Sequence, residues 1–190
     1  MLRIKTVFCG NTSVGKTTIL TRFATNSYDP KTLPTVAGVF RKTFVQKKNQ
    51  VYDLEIWDTA GDERYSSVIP SFFKRAGVVV IVFDISQRQT FDNLDYWKNF
   101  VAEHAPENTP LIIAGNKVDL DDQRVVTCDE AMKYTKSIQA LGYIETSAKT
   151  GEGMTELFSL ISTVPPNEII TNPNIVARDP ISLDKKGCCK

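Results

Sequence analysis

The stretch Gly10-Asn11-Thr12-Ser13-Val14-Gly15-Lys16-Thr17 constrains this chain more than any other. It fits Gly-x-x-x-x-Gly-Lys-Ser/Thr, and its flanks are the ones that pattern needs. Ahead of it, Ile4-Lys5-Thr6-Val7-Phe8-Cys9 reads as a buried strand; behind it, Ile19, Leu20 and Phe23 recur at helical spacing. A strand that turns through such a loop into a helix aims several backbone N–H groups, and the positive end of the helix dipole, at one point. That suits a chain of phosphates, with Thr12, Ser13, Val14 and Gly15 forming the cradle. Gly10 and Gly15 let the backbone turn and approach closely. Lys16 is then expected to reach the β- and γ-phosphates, and the Thr17 hydroxyl to hold Mg²⁺. The bland alternative is a glycine-bearing turn with a chance lysine, and the flanking strand and helix argue against it.

With 190 residues the chain is long enough for one domain with a real core. Lys+Arg 23 against Asp+Glu 22 leaves a net charge of +1, which gives no reason to expect nucleic acid or an acidic substrate as partner. The longest apolar run, residues 78–83, is a strand and far too short for a bilayer. The opening residues lead straight into the first strand, so no signal peptide is expected. Cys9 falls in a core strand, Cys128 at a helix start, and Cys188-Cys189 near the end, a placement that argues against disulfides and for a reducing, cytosolic setting.

In order along the chain, residues 26–38 are polar and carry Pro30 and Pro34, which predicts a loop over the phosphate site. Residues 40–46 and 51–57 read as antiparallel strands of one hairpin, and residues 64–75 as a short helix broken near Pro70. The all-apolar run 78–83 is the pattern of a strand covered on both faces. A helix is predicted over 90–104, with Thr90 as N-cap, then a strand over 111–114. A helix over 127–141 opens with the capping box Thr127 and Glu130; a strand over 143–145 and a helix over 153–164 follow. This alternation predicts an α/β domain spanning residues 1–164, built on a mostly parallel six-stranded sheet with one antiparallel edge hairpin and helices on both faces. Pro165-Pro166 ends it, and residues 165–190 read as a flexible tail without internal repeat.

In such folds ligands sit at the carboxyl ends of the strands. Those ends here carry Asp58-Thr59-Ala60-Gly61, Asn116-Lys117-Val118-Asp119 and Ser147-Ala148-Lys149, all on the edge that holds the phosphate loop. Asp58 can hold Mg²⁺ through a water, and the N–H of Gly61 can meet a γ-phosphate where a side chain would crowd it. Asp119 is the sharpest of the set: a carboxylate accepting from a ring N–H and the adjacent amine selects guanine, because adenine lacks that donor pair. Lys117 would lie along the base plane. Alone, Asn-Lys-x-Asp could be an ordinary turn and Ser147-Ala148-Lys149 a solvated helix approach; their order after a phosphate loop is what speaks for a site.

These residues resemble those of the Ras-like small GTPases over about residues 3–164, and among them the chain looks most like a Rab protein. The Rab resemblance rests on Trp57-Asp58-Thr59-Ala60-Gly61-Asp62-Glu63-Arg64-Tyr65, on Phe83-Asp84-Ile85-Ser86 and on the double cysteine. It implies the P-loop NTPase (small G protein) fold and GTP/GDP with Mg²⁺ as ligands. Thr35 would contact Mg²⁺ and γ-phosphate, Tyr28 would pack on the guanine, Thr18 would touch the α-phosphate, and Ala148 would offer its N–H to the guanine carbonyl. Residues 25–39 and 61–74 would be the two switches, ordered by γ-phosphate and released on hydrolysis. An exchange factor, a GTPase-activating protein and effectors would bind there. Phe40, Trp57 and Phe72 match the aromatic trio that Rabs present to effectors, with core packing as the alternative. A monomer is expected, cycling between cytosol and the cytosolic face of an endomembrane in vesicle trafficking.

Two departures stand out. After Thr35 the Rab pattern Ile-Gly-Val-Asp-Phe is replaced by Val36-Ala37-Gly38-Val39-Phe40, and Asp62 occupies the place of the catalytic glutamine. Lys16, Thr35, Gly61 and Asp62 form the expected catalytic set, with slow intrinsic hydrolysis; the alternative is a hydrolysis-impaired scaffold that stays largely GTP-bound. A P-loop kinase is a third reading, disfavoured by Asp119 and by the lack of an arginine-rich lid. Cys188 and Cys189 resemble Rab endings in which both cysteines receive geranylgeranyl groups from the prenylation machinery, and two chains suffice for a stable anchor. Lys185, Lys186 and Lys190 would add attraction to anionic lipid. His104, the one histidine, reads as a surface or helix-end residue.

Overall fold

The computed structural model describes residues 1–61, 69–170 and 179–184. Six strands form the body of one sheet: β1 (Leu2–Cys9), β2 (Gly38–Lys47), β3 (Gln50–Thr59), β4 (Val78–Asp84), β5 (Leu111–Asn116) and β6 (Gly142–Thr146). Across the sheet they run β6-β5-β4-β1-β3-β2, parallel everywhere except in the β2–β3 hairpin. All six expected strands are present, each extended by a residue or more.

β4 shows why its run is apolar throughout. Val78, Val80 and Val82 enter one core, with Ile19 and Leu20 of α1 (Lys16–Thr25) and with Leu157, Phe158 and Ile161 of α6 (Met154–Ile161). Val79, Ile81 and Phe83 enter the other, with Phe73 of α2 (Pro70–Phe73), Phe91 of α3 (Arg88–Asp92), Leu94, Trp97 and Val101 of α4 (Leu94–His104), and Ala131 of α5 (Cys128–Ser137). Every residue of β4 is buried, and each such aliphatic or aromatic side chain contributes about 1.5–3 kcal/mol. Cys9 and Cys128 are free thiols, and among the described residues no helix is long and apolar enough to cross a membrane.

Several local expectations are corrected. The helix expected over 90–104 is two helices, broken at Asn93 (φ −80, ψ 0). Thr90 is not its N-cap but lies buried inside α3, where its hydroxyl accepts from Asp84 N (3.0 Å) and bonds Gln87 O (2.7 Å), pinning α3 to the end of β4. Of the capping box on α5 one arm is made, Glu130 N to Thr127 Oγ1 at 3.2 Å, while the Glu130 carboxylate turns to Arg88 Nη1 at 2.7 Å. The helix expected over 64–75 is described only from Pro70, because residues 62–68 lie outside the described residues. His104 ends α4 with its ring 4.4 Å from Phe100, the helix-end position expected.

Within the stretch read as a flexible tail, residues 165–190, parts are paired with the sheet. Two short strands, β7 (Glu168–Ile169) and β8 (Ile181–Ser182), join the sheet. β7 pairs antiparallel with Leu2 and Arg3, the part of β1 that β4 leaves open because β4 begins only opposite Thr6. β8 lies parallel to β2 on the edge, and Leu183 beyond it is buried in the same core as α6. Unpaired strand edges expose backbone donors and acceptors, and these tail segments satisfy them.

Candidate functional site

The carboxyl ends of β1, β3, β5 and β6 border a cleft of about 810 Å³. Of the predicted residues, Thr12, Ser13, Gly15, Lys16, Thr17 and Thr18 line its floor. Tyr28, Thr35 and Gly61 stand along one wall, and Asn116, Lys117, Asp119, Ala148 and Lys149 form the other. Val14, Asp58 and Ser147 are buried directly behind. Asp62, predicted to be catalytic, lies outside the described residues.

Local backbone geometry explains the floor. Gly15 is the N-cap of α1 with φ 96, a left-handed conformation that a side chain resists. Lys16 is buried and its ammonium curls back over the loop, donating to Gly10 O and Asn11 O, both at 2.8 Å. Burial lowers its pKa to about 8, against the opposing pull of Asp58. Gly61 passes so close to the loop that a Cβ there would overlap the backbone of Asn11 and Thr12.

Beside Lys16 the hydroxyls of Thr17 and Thr35 meet at 2.5 Å. Behind them sits Asp58, wholly buried, with both carboxylate oxygens lacking a hydrogen-bond partner. Burial raises its carboxyl above the usual range, opposed by the Thr17 hydroxyl, by Lys16 and by Arg41. An unpaired buried carboxylate costs several kcal/mol unless something compensates it. Two hydroxyls and a carboxylate are hard oxygen donors, the set suited to Mg²⁺. These residues fit that ion.

The opposite wall is braced by hydrogen bonds and by one ion pair. Asn116 donates to Val14 O (2.8 Å) and its amide oxygen accepts from Thr146 Oγ1 (3.1 Å) and Ala148 N (3.4 Å), bracing the phosphate loop against the β6 end. Ser147 Oγ donates to Asp119 Oδ1 at 2.6 Å, which sets the carboxylate's direction, and Lys149 Nζ lies 3.7 Å from its other oxygen. Lys117, with left-handed backbone (φ 69), sends its ammonium to Asp84 at 2.6 Å. The aromatic trio is continuous: ring centroids lie 5.2 Å apart for Phe40–Trp57 and 5.0 Å for Trp57–Phe72. Phe40 is 47% exposed, so its ring stands outside the core.

Sequence reasoning missed three supports of this site. Asp84 holds Lys117, and the signal was a carboxylate ending an otherwise apolar strand. Trp97 donates its indole N–H to Asn11 Oδ1 at 3.0 Å and so ties α4 to the phosphate loop. Arg124 bonds Glu145 with both terminal nitrogens (2.7 and 3.1 Å), linking the turn that carries Asp119 to β6; nothing in the local sequence announced that pair.

The Ras family matches residues 5–165. The chain belongs to the Ras family. It is 37% identical over 191 residues to the Ras-related protein Rab-22A of Homo sapiens, covering 98% of this chain and 97% of that protein. To human Ras-related protein Rab-31 it is 37% identical over 190 residues, again 98% and 97% of the two chains, and to Rab-31 of Rattus norvegicus 40% over 172 residues, 90% and 88%. This Rab-like small GTPase is a GTP hydrolase that binds GTP and GDP with Mg²⁺, and exchange factors, activating proteins and effectors are its class of partner.

Proposed function

We propose that the residues gathered at this edge operate a nucleotide-gated switch in membrane trafficking, working on the cytosolic face of an endomembrane. The observation that carries this reading is the orphaned Asp58 carboxylate behind the paired hydroxyls of Thr17, on α1, and Thr35, within the first switch segment. Thr17, Thr35 and Asp58 would hold Mg²⁺, which when bound neutralises charge on the β- and γ-phosphoryl oxygens. Lys16 and the backbone N–H groups of Thr12 to Thr18 bind and orient the triphosphate. The Gly61 N–H is placed to meet the γ-phosphate, and Asp119 selects guanine with Asn116, Ser147, Ala148 and Lys149 holding its loop. Tyr28 covers the base. Loss of the γ-phosphate removes the reason for Thr35 and Gly61 to stay at the floor, so both switches are released. Phe40, Trp57 and Phe72 are the surface an effector would read in the GTP state.

Catalysis is positioning plus electrostatic stabilisation. Asp62 in place of glutamine weakens it: an ionised aspartate only accepts, is one methylene shorter, and adds negative charge beside a polyanion. Basal hydrolysis is therefore slow, and Asp62→Gln raises it at least several-fold without changing nucleotide affinity; lost oriented donors of this kind cost on the order of 10²–10³ in rate. Single-turnover phosphate release from preloaded GTP, wild type beside Asp62→Gln, is the test. Equal rates would clear Asp62, and no measurable turnover in the wild type would favour the scaffold reading. Attachment to the membrane resides in Cys188 and Cys189, both outside the described residues, through geranylgeranyl groups.

A further inference from the structure

The tail does not leave the domain where the last helix ends. β7 pairs with β1, and β8 pairs parallel with Val45 and Gln46 of β2, pointing toward the tip of the β2–β3 hairpin. Three contacts hold it there. Leu183 N donates to Gln46 O (2.8 Å), the Leu183 side chain is buried in the core, and both Asp184 carboxylate oxygens accept from Lys48 N (3.0 Å). Lys48 has φ 53, so its N–H points away from the hairpin ladder and needs this partner. The described chain thus ends at the hairpin tip, on the sheet edge opposite the nucleotide cleft. Ten residues of β3 separate those edges, about 30 Å.

We propose that this strap makes the hairpin tip, Lys47 to Asn49, a membrane-docking surface that rests on anionic lipid headgroups and turns the nucleotide cleft toward the cytosol. The proposal rests on the reading that Cys188 and Cys189 carry the anchor. Four residues lead from Asp184 to Cys188, a reach of at most about 14 Å even when fully extended. Adding the span of the Asp184 side chain, an anchor inserted at Cys188 cannot lie farther than about 20 Å from Lys48. A tether this short does not let the domain roam; it presses one end against the bilayer.

The chemistry of that end agrees. Lys48 and Asn49 are exposed. Lys47 Nζ donates to Ser159 O (2.9 Å) near the end of α6, and a hollow of about 380 Å³ opens beside it, lined in part by Lys47, Lys48 and Ser162. Asp184, the carboxylate hydrogen-bonded at the tip, accepts from the Lys48 backbone, and its single negative charge stands against the ammonium groups of Lys47 and Lys48. In sequence, Lys185, Lys186 and Lys190 follow, so cations sit on both sides of the anchor point. Each lysine near an anionic surface gains favourable energy within a Debye length. Without the strap the same anchor would hang on the whole stretch after α6 and impose no orientation.

The test uses the full chain with Cys128→Ser, leaving Cys9 buried, and couples Cys188 and Cys189 to maleimide-bearing lipid, so cellular prenylation is not needed. Acylation of individual lysines is followed by mass spectrometry on phosphatidylcholine–phosphatidylserine vesicles and on phosphatidylcholine alone. We expect Lys48 labelling to slow about fivefold on the anionic vesicles, while exposed Lys31 at the nucleotide edge keeps its rate. Leu183→Asp, which expels the strap, restores Lys48 labelling. Because that variant could misfold, a second inserts a Gly/Ser linker of about twenty residues after Asp184, lengthening the tether with the core untouched, and it too restores labelling. Lys48 slowed no more than Lys31 would overturn the proposal, as would protection that survives the long linker. Equal slowing on neutral vesicles would overturn the anionic surface. Failure of the anchor reading shows separately: the Cys188→Ser, Cys189→Ser double variant would stay on membranes when cells are fractionated.

Discussion

On the base side of the nucleotide cleft, Asn116 braces Val14 against Thr146, Ser147 orients Asp119, and Lys117 is paired with Asp84. On the phosphate side, along the same sheet edge, Asp58 is buried with neither oxygen hydrogen-bonded, and Lys16 gives its hydrogen bonds to backbone carbonyls while only the nearby Asp58 charge draws on it. One half is paired before any ligand arrives; the other holds a buried ammonium and a buried carboxylate that offset each other only in part. The difference teaches where a switch can be built. A satisfied wall cannot report on the ligand, because its bonds do not change. Partly balanced charges can, because each ligand phosphate and its metal would alter what the residues around them gain by closing.

If the contrast is real, substitutions on the two sides should affect the nucleotide-free protein in opposite directions. Asn116→Ala orphans Val14 O and Ala148 N in the interior. It should lower nucleotide-free stability by about 2–3 kcal/mol in urea denaturation, and a loss under ~1 kcal/mol would mean the base wall is not prebuilt. Asp119→Asn keeps an oxygen for Ser147 but turns an acceptor toward guanine into a donor. We expect GTP to weaken and xanthosine triphosphate to tighten by about 1–3 kcal/mol in competition binding, with stability unchanged. Unchanged preference would take Asp119 out of the base site.

Asp58→Asn removes the bare charge from the phosphate side. It should raise nucleotide-free stability by about 1 kcal/mol while Mg²⁺ loses its power to slow GDP release. A destabilised variant would show that the folded protein already compensates Asp58. The smallest effect concerns pH. The folded-state pKa of Lys16 is lowered to about 8, below its unfolded value of 10.5, so between pH 8 and 10.5 the unfolded chain holds the extra proton. Nucleotide-free stability should then rise with pH from about 8 to 9, by at most about 1.4 kcal/mol per unit. The Cys9 thiol, pushed up to about 12 by burial, acts in the opposite sense above pH 9. Bound phosphates hold Lys16 charged, so the GDP form should lack the rise, and the difference between the two forms isolates Lys16. Identical slopes would mean its ammonium is not strained by burial.

Much of this was legible from residue order. The apolar run of β4 announced a strand between two cores, and the strand-end motifs announced which edge binds, because both signals are local and repeat at fixed spacing. Asn93 interrupts a continuous apolar stripe that reads as one helix, since periodicity does not register a single residue with ψ near 0. Trp97 and Asn11 are 86 positions apart, and their bond exists only because α4 packs beneath the phosphate loop.

Sequence by itself determined the α/β alternation, the glycine-bracketed loop and the strand-end motifs that border the cleft, since strand and helix periods and such a loop are written in neighbouring residues. Only the tertiary structure decided which charges are balanced and where the tail goes. Asp58 and Asp84 look alike at their strand ends, yet Asp84 forms an ion pair with Lys117 while Asp58 accepts no hydrogen bond and feels Lys16 and Arg41 only through their charge. The tail's composition suits a flexible segment, but β1 and β2 leave ladder groups open, and Leu183 finds a core already shaped by α6. Burial and pairing depend on what the rest of the chain brings alongside, and no stretch read alone carries that information.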